Sequence, residues 1–137
     1  MEVGVIGAGN ISSSVHLPLL SCIDDVNIKF IADRKNPEIL AKLYNTKYIE
    51  LDEQSSFPDC DVILITLPVG ARTKYLDKFS KSDSYIFSEK PFTMDLKTHE
   101  NLLQNSEKFT CNYERLFYNT TRNIKNIISS EIFGKIQ

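Results

Sequence analysis

Val3-Gly4-Val5-Ile6-Gly7-Ala8-Gly9-Asn10-Ile11-Ser12 sets an unbroken apolar run directly before a glycine turn and a helix-forming stretch. Residues 3–6 show no polar alternation, the pattern of a strand buried on both faces of a parallel sheet. Gly7 permits a tight turn, Gly9 lets backbone approach a pyrophosphate, and the next helix offers unpaired N–H groups and its positive dipole end. Ser12 takes the third small position of a G-x-G-x-x-G pattern. This order predicts a dinucleotide-binding turn with contacts at Gly7, Gly9, Asn10 and Ile11; a purely structural turn is the alternative.

Outward from that stretch, strand-like runs at 28–32, 47–49, 62–66, 85–88 and 109–113 alternate with helical periods. Ile11, Val15 and Leu19 lie four apart, and Ile39 and Leu43 repeat the spacing. Leu96, His99, Leu102 and Leu103 stripe a helix that Asp95 can cap. Pro18 lacks the N–H that would reach the Ser14 carbonyl, so the first helix should kink or divide. Ser12, Ser13 and Ser14 read as a small-residue patch for close helix–sheet packing or as functional hydroxyls. The βαβα succession with right-handed crossovers predicts an α/β fold, a doubly wound parallel sheet of about six strands. Phe117, Thr121, Ile124 and Ile128 predict one more amphipathic helix over about 118–130, and 133–137 read as a turn and the first residues of a strand.

The 137 residues are 42% apolar and 25% charged, which excludes a disordered tail and suits one domain with a core. Sixteen basic against 18 acidic side chains leave a net charge of −2, so nucleic acid and anionic membranes are not expected as partners. No apolar run approaches the roughly 18 residues of a membrane span, and no basic leader precedes the first strand. The expectation is a cytoplasmic protein. Cys22, Cys60 and Cys111 are odd in number and lack C-x-x-C spacing, which points to reduced thiols. With only His16 and His99 as imidazoles, no metal site is expected.

Asp33 ends the second strand beside the glycine turn, where a carboxylate can accept both hydroxyls of an adenosine ribose; a loop acid or N-cap is the alternative. An acid there repels a 2′-phosphate and favours NAD, while Arg34 and Lys35 could stack on adenine or pair with the phosphate of NADP. Thr66, Leu67 and Pro68 follow the strand beside the first and should border the crevice where strand order reverses, unless they form a simple connecting loop. Glu89-Lys90-Pro91 closes the fifth strand and either holds a lysine at a redox centre or forms an exposed charge pair. A methyltransferase on a similar sheet would need an acid just before the glycines, and Val5-Ile6 supplies none.

Gly7-Ala8-Gly9-Asn10-Ile11, then His16-Leu17-Pro18, Asp33, Thr66-Leu67-Pro68 and above all Glu89-Lys90-Pro91 resemble the Gfo/Idh/MocA oxidoreductase family over the whole chain. Tyr113-Glu114-Arg115-Leu116-Phe117 resembles its segment after the sixth strand. The resemblance implies an N-terminal Rossmann domain binding NAD or NADP, here 1–117. It also implies that 118–137 are a trailing helix and the start of a substrate-binding, oligomer-forming second domain that this sequence does not contain. Lys90 matches the lysine that assists hydride transfer, and Glu89 and Pro91 match cofactor-contacting neighbours. The implied partners are a nicotinamide dinucleotide and, in a longer parent, a sugar, cyclitol or nucleotide-sugar alcohol or ketone, with homo-oligomers possible and turnover by the short chain alone not expected. Departures are Leu67 between Thr66 and Pro68, Arg72 where the family has His, Val69 for a frequent Asn, and Glu114 for a common Asn. They leave room for a second expectation, a non-catalytic dinucleotide-binding sensor or subunit module.

Overall fold

In the computed structural model, which describes residues 1–35 and 38–135, the opening apolar run is strand β1 (Glu2–Ile6). It pairs in parallel with β2 (Asn27–Asp33) on one side and β4 (Val62–Ile65) on the other, so that Val5 lies beside both Ile31 and Leu64. With β3 (Lys47–Glu50), β5 (Tyr85–Ser88) and β6 (Phe109–Cys111), the sheet is six-stranded and runs β3-β2-β1-β4-β5-β6. From β1 the chain winds one way and from β4 the other. The switch point therefore lies between the ends of β1 and β4, where Gly7 and Thr66 stand.

Two apolar layers hold this sheet. On one face Ile6, Phe30, Ile63, Ile65 and Ile86 pack under α3 (Val69–Ser80) and α4 (Leu96–Asn105). Arg72, Tyr75, Leu76 and Phe79 follow the 3-1-3 spacing that puts one side of α3 inward. Phe57, from the β3–β4 connection, lies 5.5 Å from the Phe30 ring and 5.4 Å from Phe79. On the other face Val3, Val5, Ile28, Ile31 and Leu64 pack against Leu17, with Leu20 and Leu40 at the margin. Gly4 is the gap that lets Phe30 cross β1, since a Cβ there would meet the phenyl ring at 2.4 Å.

Pro18 divides the first helix as its missing N–H requires. A π-helical turn (Ser12–His16) comes first, with Leu17 N–H reaching the Ser12 carbonyl, and α1 (Leu17–Leu20) follows. The four-residue stripes do mark helices, but they face outward. Ile11, Val15 and Leu19 are exposed while Ser12 and Leu17 are buried. In α2 (Glu38–Leu43), Ile39 is 84% and Leu43 70% exposed while Ala41 is buried. Helices this short touch the sheet with one or two side chains, so spacing alone does not choose the face. Asp95 caps α4 through its Oδ1, which accepts from Thr98 N at 2.9 Å.

β4 stops one residue and β6 two residues before the expected ends, although Thr66 N still donates to Ile6 O at 2.9 Å. The late helix is α5 (Asn119–Ser129), preceded by a 3-10 turn (Glu114–Phe117), and it buries none of its residues. Gly134, at φ +83°, forms a turn with Glu131. The strand start expected within 133–137 runs into Ile136 and Gln137, which lie outside the described residues.

Candidate functional site

The segments that follow five of the six strands are tied to one another by side-chain hydrogen bonds. After β1, Gly7 turns with φ +104°, and a Cβ there would meet Thr66 Oγ1 at 2.6 Å and Leu67 N at 2.9 Å. Two residues on, a Cβ at Gly9 would meet nothing within 4 Å, so the fold has no packing need for glycine there. Asn10 and Ile11 are exposed at the head of the helix, where N–H groups have no intrahelical acceptor. Ser12 is fully buried; its hydroxyl donates to Gly7 O at 2.6 Å and lies 2.6 Å from Thr66 Oγ1, which reaches the same carbonyl at 2.8 Å. The serine thus binds the turn to β4, a role the small-residue reading covers only in part.

Asp33 closes β2 with Oδ2 accepting from Ala8 N at 2.7 Å and Oδ1 from Lys35 N at 2.9 Å. It therefore braces the glycine turn and caps its own loop, with lone pairs to spare for further donors, since a carboxylate offers about four acceptor sites. Arg34 and Lys35 are exposed beside it. After β4, Thr66 and Leu67 are half-buried and Pro68 exposed; the Leu67 side chain packs against the α3 core.

Glu89 and Lys90 are joined by a hydrogen bond from Lys90 N to Glu89 Oε2 at 3.3 Å, but their side chains take different partners. Glu89, 8% exposed, accepts from His16 Nε2 and from Asn112 Nδ2, both at 2.7 Å. Burial pushes its carboxyl upward, but these hydrogen bonds to the ionised form outweigh burial and leave it below the ordinary range. Lys90 is half-exposed and forms an ion pair with Glu114 from the turn after β6. That bond raises the Lys90 ammonium above its usual value and lowers Glu114, so Lys90 is firmly protonated at neutral pH. The Lys90–Pro91 peptide is cis. Beside it, Lys90, Tyr113, Glu114, Arg115 and Leu116 line a concavity of about 320 Å³.

Arg72 is 2% exposed. Its guanidinium donates to Leu67 O and to the carbonyl oxygens of Glu89 and Pro91, joining the loop after β4 to the loop after β5. Burial lowers it from its usual value. His16, Asn112 and Glu114 join the site although spacing did not single them out as site residues. Only the fold brings them to Glu89 and Lys90, from positions 73, 23 and 24 residues away.

A concavity of about 570 Å³ is lined by Glu2, Lys29, Asp61 and Ser84 at the opposite, amino ends of β1, β4 and β5. In open α/β sheets ligands bind outside the carboxyl ends, so it is not the candidate site. Among the described residues no group of three or more His, Cys, Asp or Glu is placed to hold a metal ion, and no helix is long and apolar enough to cross a membrane. Cys60, pushed up to about 11 by burial, is a thiol rather than a thiolate.

Among known proteins, the chain is 24% identical over 134 residues to the NADP-dependent scyllo-inositol 2-dehydrogenase IolW of Bacillus subtilis, covering 94% of this chain and 37% of that one. It is 28% identical over 97 residues to an inositol 2-dehydrogenase of Rhizobium meliloti, covering 69% of this chain and 29% of that one. Of solved structures, KijD10, a 3-ketoreductase from Actinomadura kijaniata in complex with TDP-benzene and NADP, superposes with a TM-score of 0.83 at 21% identity, over 98% of this chain and 45% of that one. The chain thus spans less than half the length of each of these relatives. The model of the Gfo/Idh/MocA oxidoreductase family, described as an NAD-binding Rossmann fold, matches residues 1–114, and this chain belongs to that family.

Proposed function

We propose that this chain holds a nicotinamide dinucleotide across the carboxyl ends of β1, β2, β4 and β5, and is the cofactor-binding region of an oxidoreductase acting on a sugar-, cyclitol- or nucleotide-sugar-like alcohol or ketone. Gly7, Gly9, Asn10 and Ile11 take the pyrophosphate, Asp33 the ribose, and Arg34 the adenine side. Thr66, Leu67, Pro68, Glu89, Lys90 and Pro91 border the nicotinamide half. The observation that carries this is Gly9: its missing side chain leaves room that the protein itself does not use, beside N–H groups the helix leaves open. When bound, the cofactor would supply hydride to a ketone or accept it from an alcohol. Lys90, an ammonium paired with Glu114, holds a proton at Nζ toward an oxygen at the reacting carbon. Family membership and the dehydrogenase and ketoreductase relatives support the class of substrate.

Residues 1–117 are the binding domain in this reading, and 118–137 belong to a separate unit. The exposed Ile124, Ile127 and Ile128 of α5 support that division and a face for self-association; the setting in this reading is cytoplasmic. NAD is the preferred cofactor because Asp33 opposes a 2′-phosphate.

Titrating NADH into the chain and following its fluorescence tests the reading. Saturable binding is expected, weaker for NADPH; Gly9→Val should remove it, and Asp33→Ser should narrow or invert the NADH-to-NADPH ratio. No saturable signal from the folded chain at millimolar NADH, or full binding by Gly9→Val, would overturn it.

A further inference from the structure

Arg72 is a buried cation whose hydrogen bonds all go to backbone. Nε and Nη2 donate to Leu67 O at 3.1 and 2.7 Å, and Nη1 donates to the carbonyls of Glu89 and Pro91. Taking a guanidinium out of water is costly, and an apolar side chain of like volume would fill the same space between α3 and the β5 loop without that cost. What only the planar fork supplies is simultaneous grip on two chain segments. Two of the three gripped carbonyls belong to the residues on either side of Lys90, and the third lies between Thr66 and Pro68. The peptide units around Lys90 are therefore held to the loop after β4, leaving the lysine its side-chain torsions alone, and Glu114 restrains those.

We infer that Arg72 is a positioning residue for the nicotinamide half of the cleft: it fixes the spacing between the Thr66-Leu67-Pro68 loop and the Glu89-Lys90-Pro91 turn. The inference rests on the dinucleotide site proposed above. It also accounts for an arginine at a position where the family resemblance leads one to expect histidine, because a longer fork reaches both loops from the first turn of α3. Arg72 touches neither the Gly7–Gly9 turn nor Asp33, so the adenosine and pyrophosphate half does not depend on it.

The two halves can be read separately with NADH and ADP-ribose, the second of which lacks the nicotinamide. Wild type, Arg72→Met and Arg72→Lys of the full chain are titrated with both ligands, and their thermal unfolding is followed in parallel. Arg72→Met should lose about tenfold or more in NADH affinity, the scale of hydrogen bonds to a charged group, while ADP-ribose affinity stays within about twofold. Arg72→Lys keeps the charge but not the fork; it should show the same split to a smaller degree and carries the test if Arg72→Met does not fold. Equal losses for both ligands would reduce Arg72 to a residue of general stability, and unchanged NADH affinity would remove its role; either result overturns the inference. If wild type binds neither ligand, the dinucleotide reading fails and this inference with it, an outcome distinct from a wild type that binds both and a variant that shows no split.

Discussion

Gly7 and Gly9 stand two residues apart and are glycine for different reasons. At Gly7 the backbone is left-handed and a methyl group would press on Thr66, so Gly7→Ala should destabilise the fold by about 1–3 kcal/mol in urea unfolding. Gly9 has neither constraint; Gly9→Ala should unfold within about 0.5 kcal/mol of wild type and show its effect only in ligand binding. Both glycines are legible in the motif, but which one serves the fold and which leaves space is visible only in what surrounds them. A buried hydroxyl without a partner makes a third residue-scale case. Among the described residues Tyr75 Oη is such a group, and Tyr75→Phe, which spares its desolvation, should raise stability by about 1 kcal/mol in the same assay.

The ends of β5, β6 and the first helix meet at Glu89, and their connection is electrostatic. Because the Glu89 carboxyl is held below its ordinary value of 4.5, its stabilising effect is complete above that pH and is lost as pH falls through the depressed folded value. Glu89→Gln should cost about 1–3 kcal/mol at pH 7, and the gap from wild type should shrink toward pH 3 in urea unfolding. A gap that stays constant would mean that His16 and Asn112 do not favour the ionised form. The positions of the strands along the chain and the helix cap at Asp95 were readable because unbroken β-branched runs and a cap residue act locally. The inward faces of α1 and α2 were not, since elements of four and six residues pack through Leu17 and Ala41 rather than along a stripe. Glu89 and Lys90 read as one charge pair in sequence; the strand end sends them to different partners, one across to His16 and Asn112 and the other to Glu114.

Across the whole molecule, the concavity beside Glu2, Lys29 and Ser84 and the candidate site lie at opposite ends of one sheet. The concavity sits at the amino ends, and the site built from Gly9, Asp33, Thr66 and Lys90 sits at the carboxyl ends. Winding reverses between β1 and β4, which leaves the crevice at the second of these. The tests of Arg72 and of Gly9→Val probe parts of that crevice, whereas the location of the ligand is a property of the entire fold. Amide chemical shifts of the ¹⁵N-labelled chain, followed by NMR during an NADH titration, measure it directly. The account predicts saturable shifts at Gly9, Asn10, Ile11, Asp33, Thr66 and Lys90, with Lys29 and Ser84 unmoved; shifts confined to the amino-terminal end, or none at saturating NADH, would contradict it.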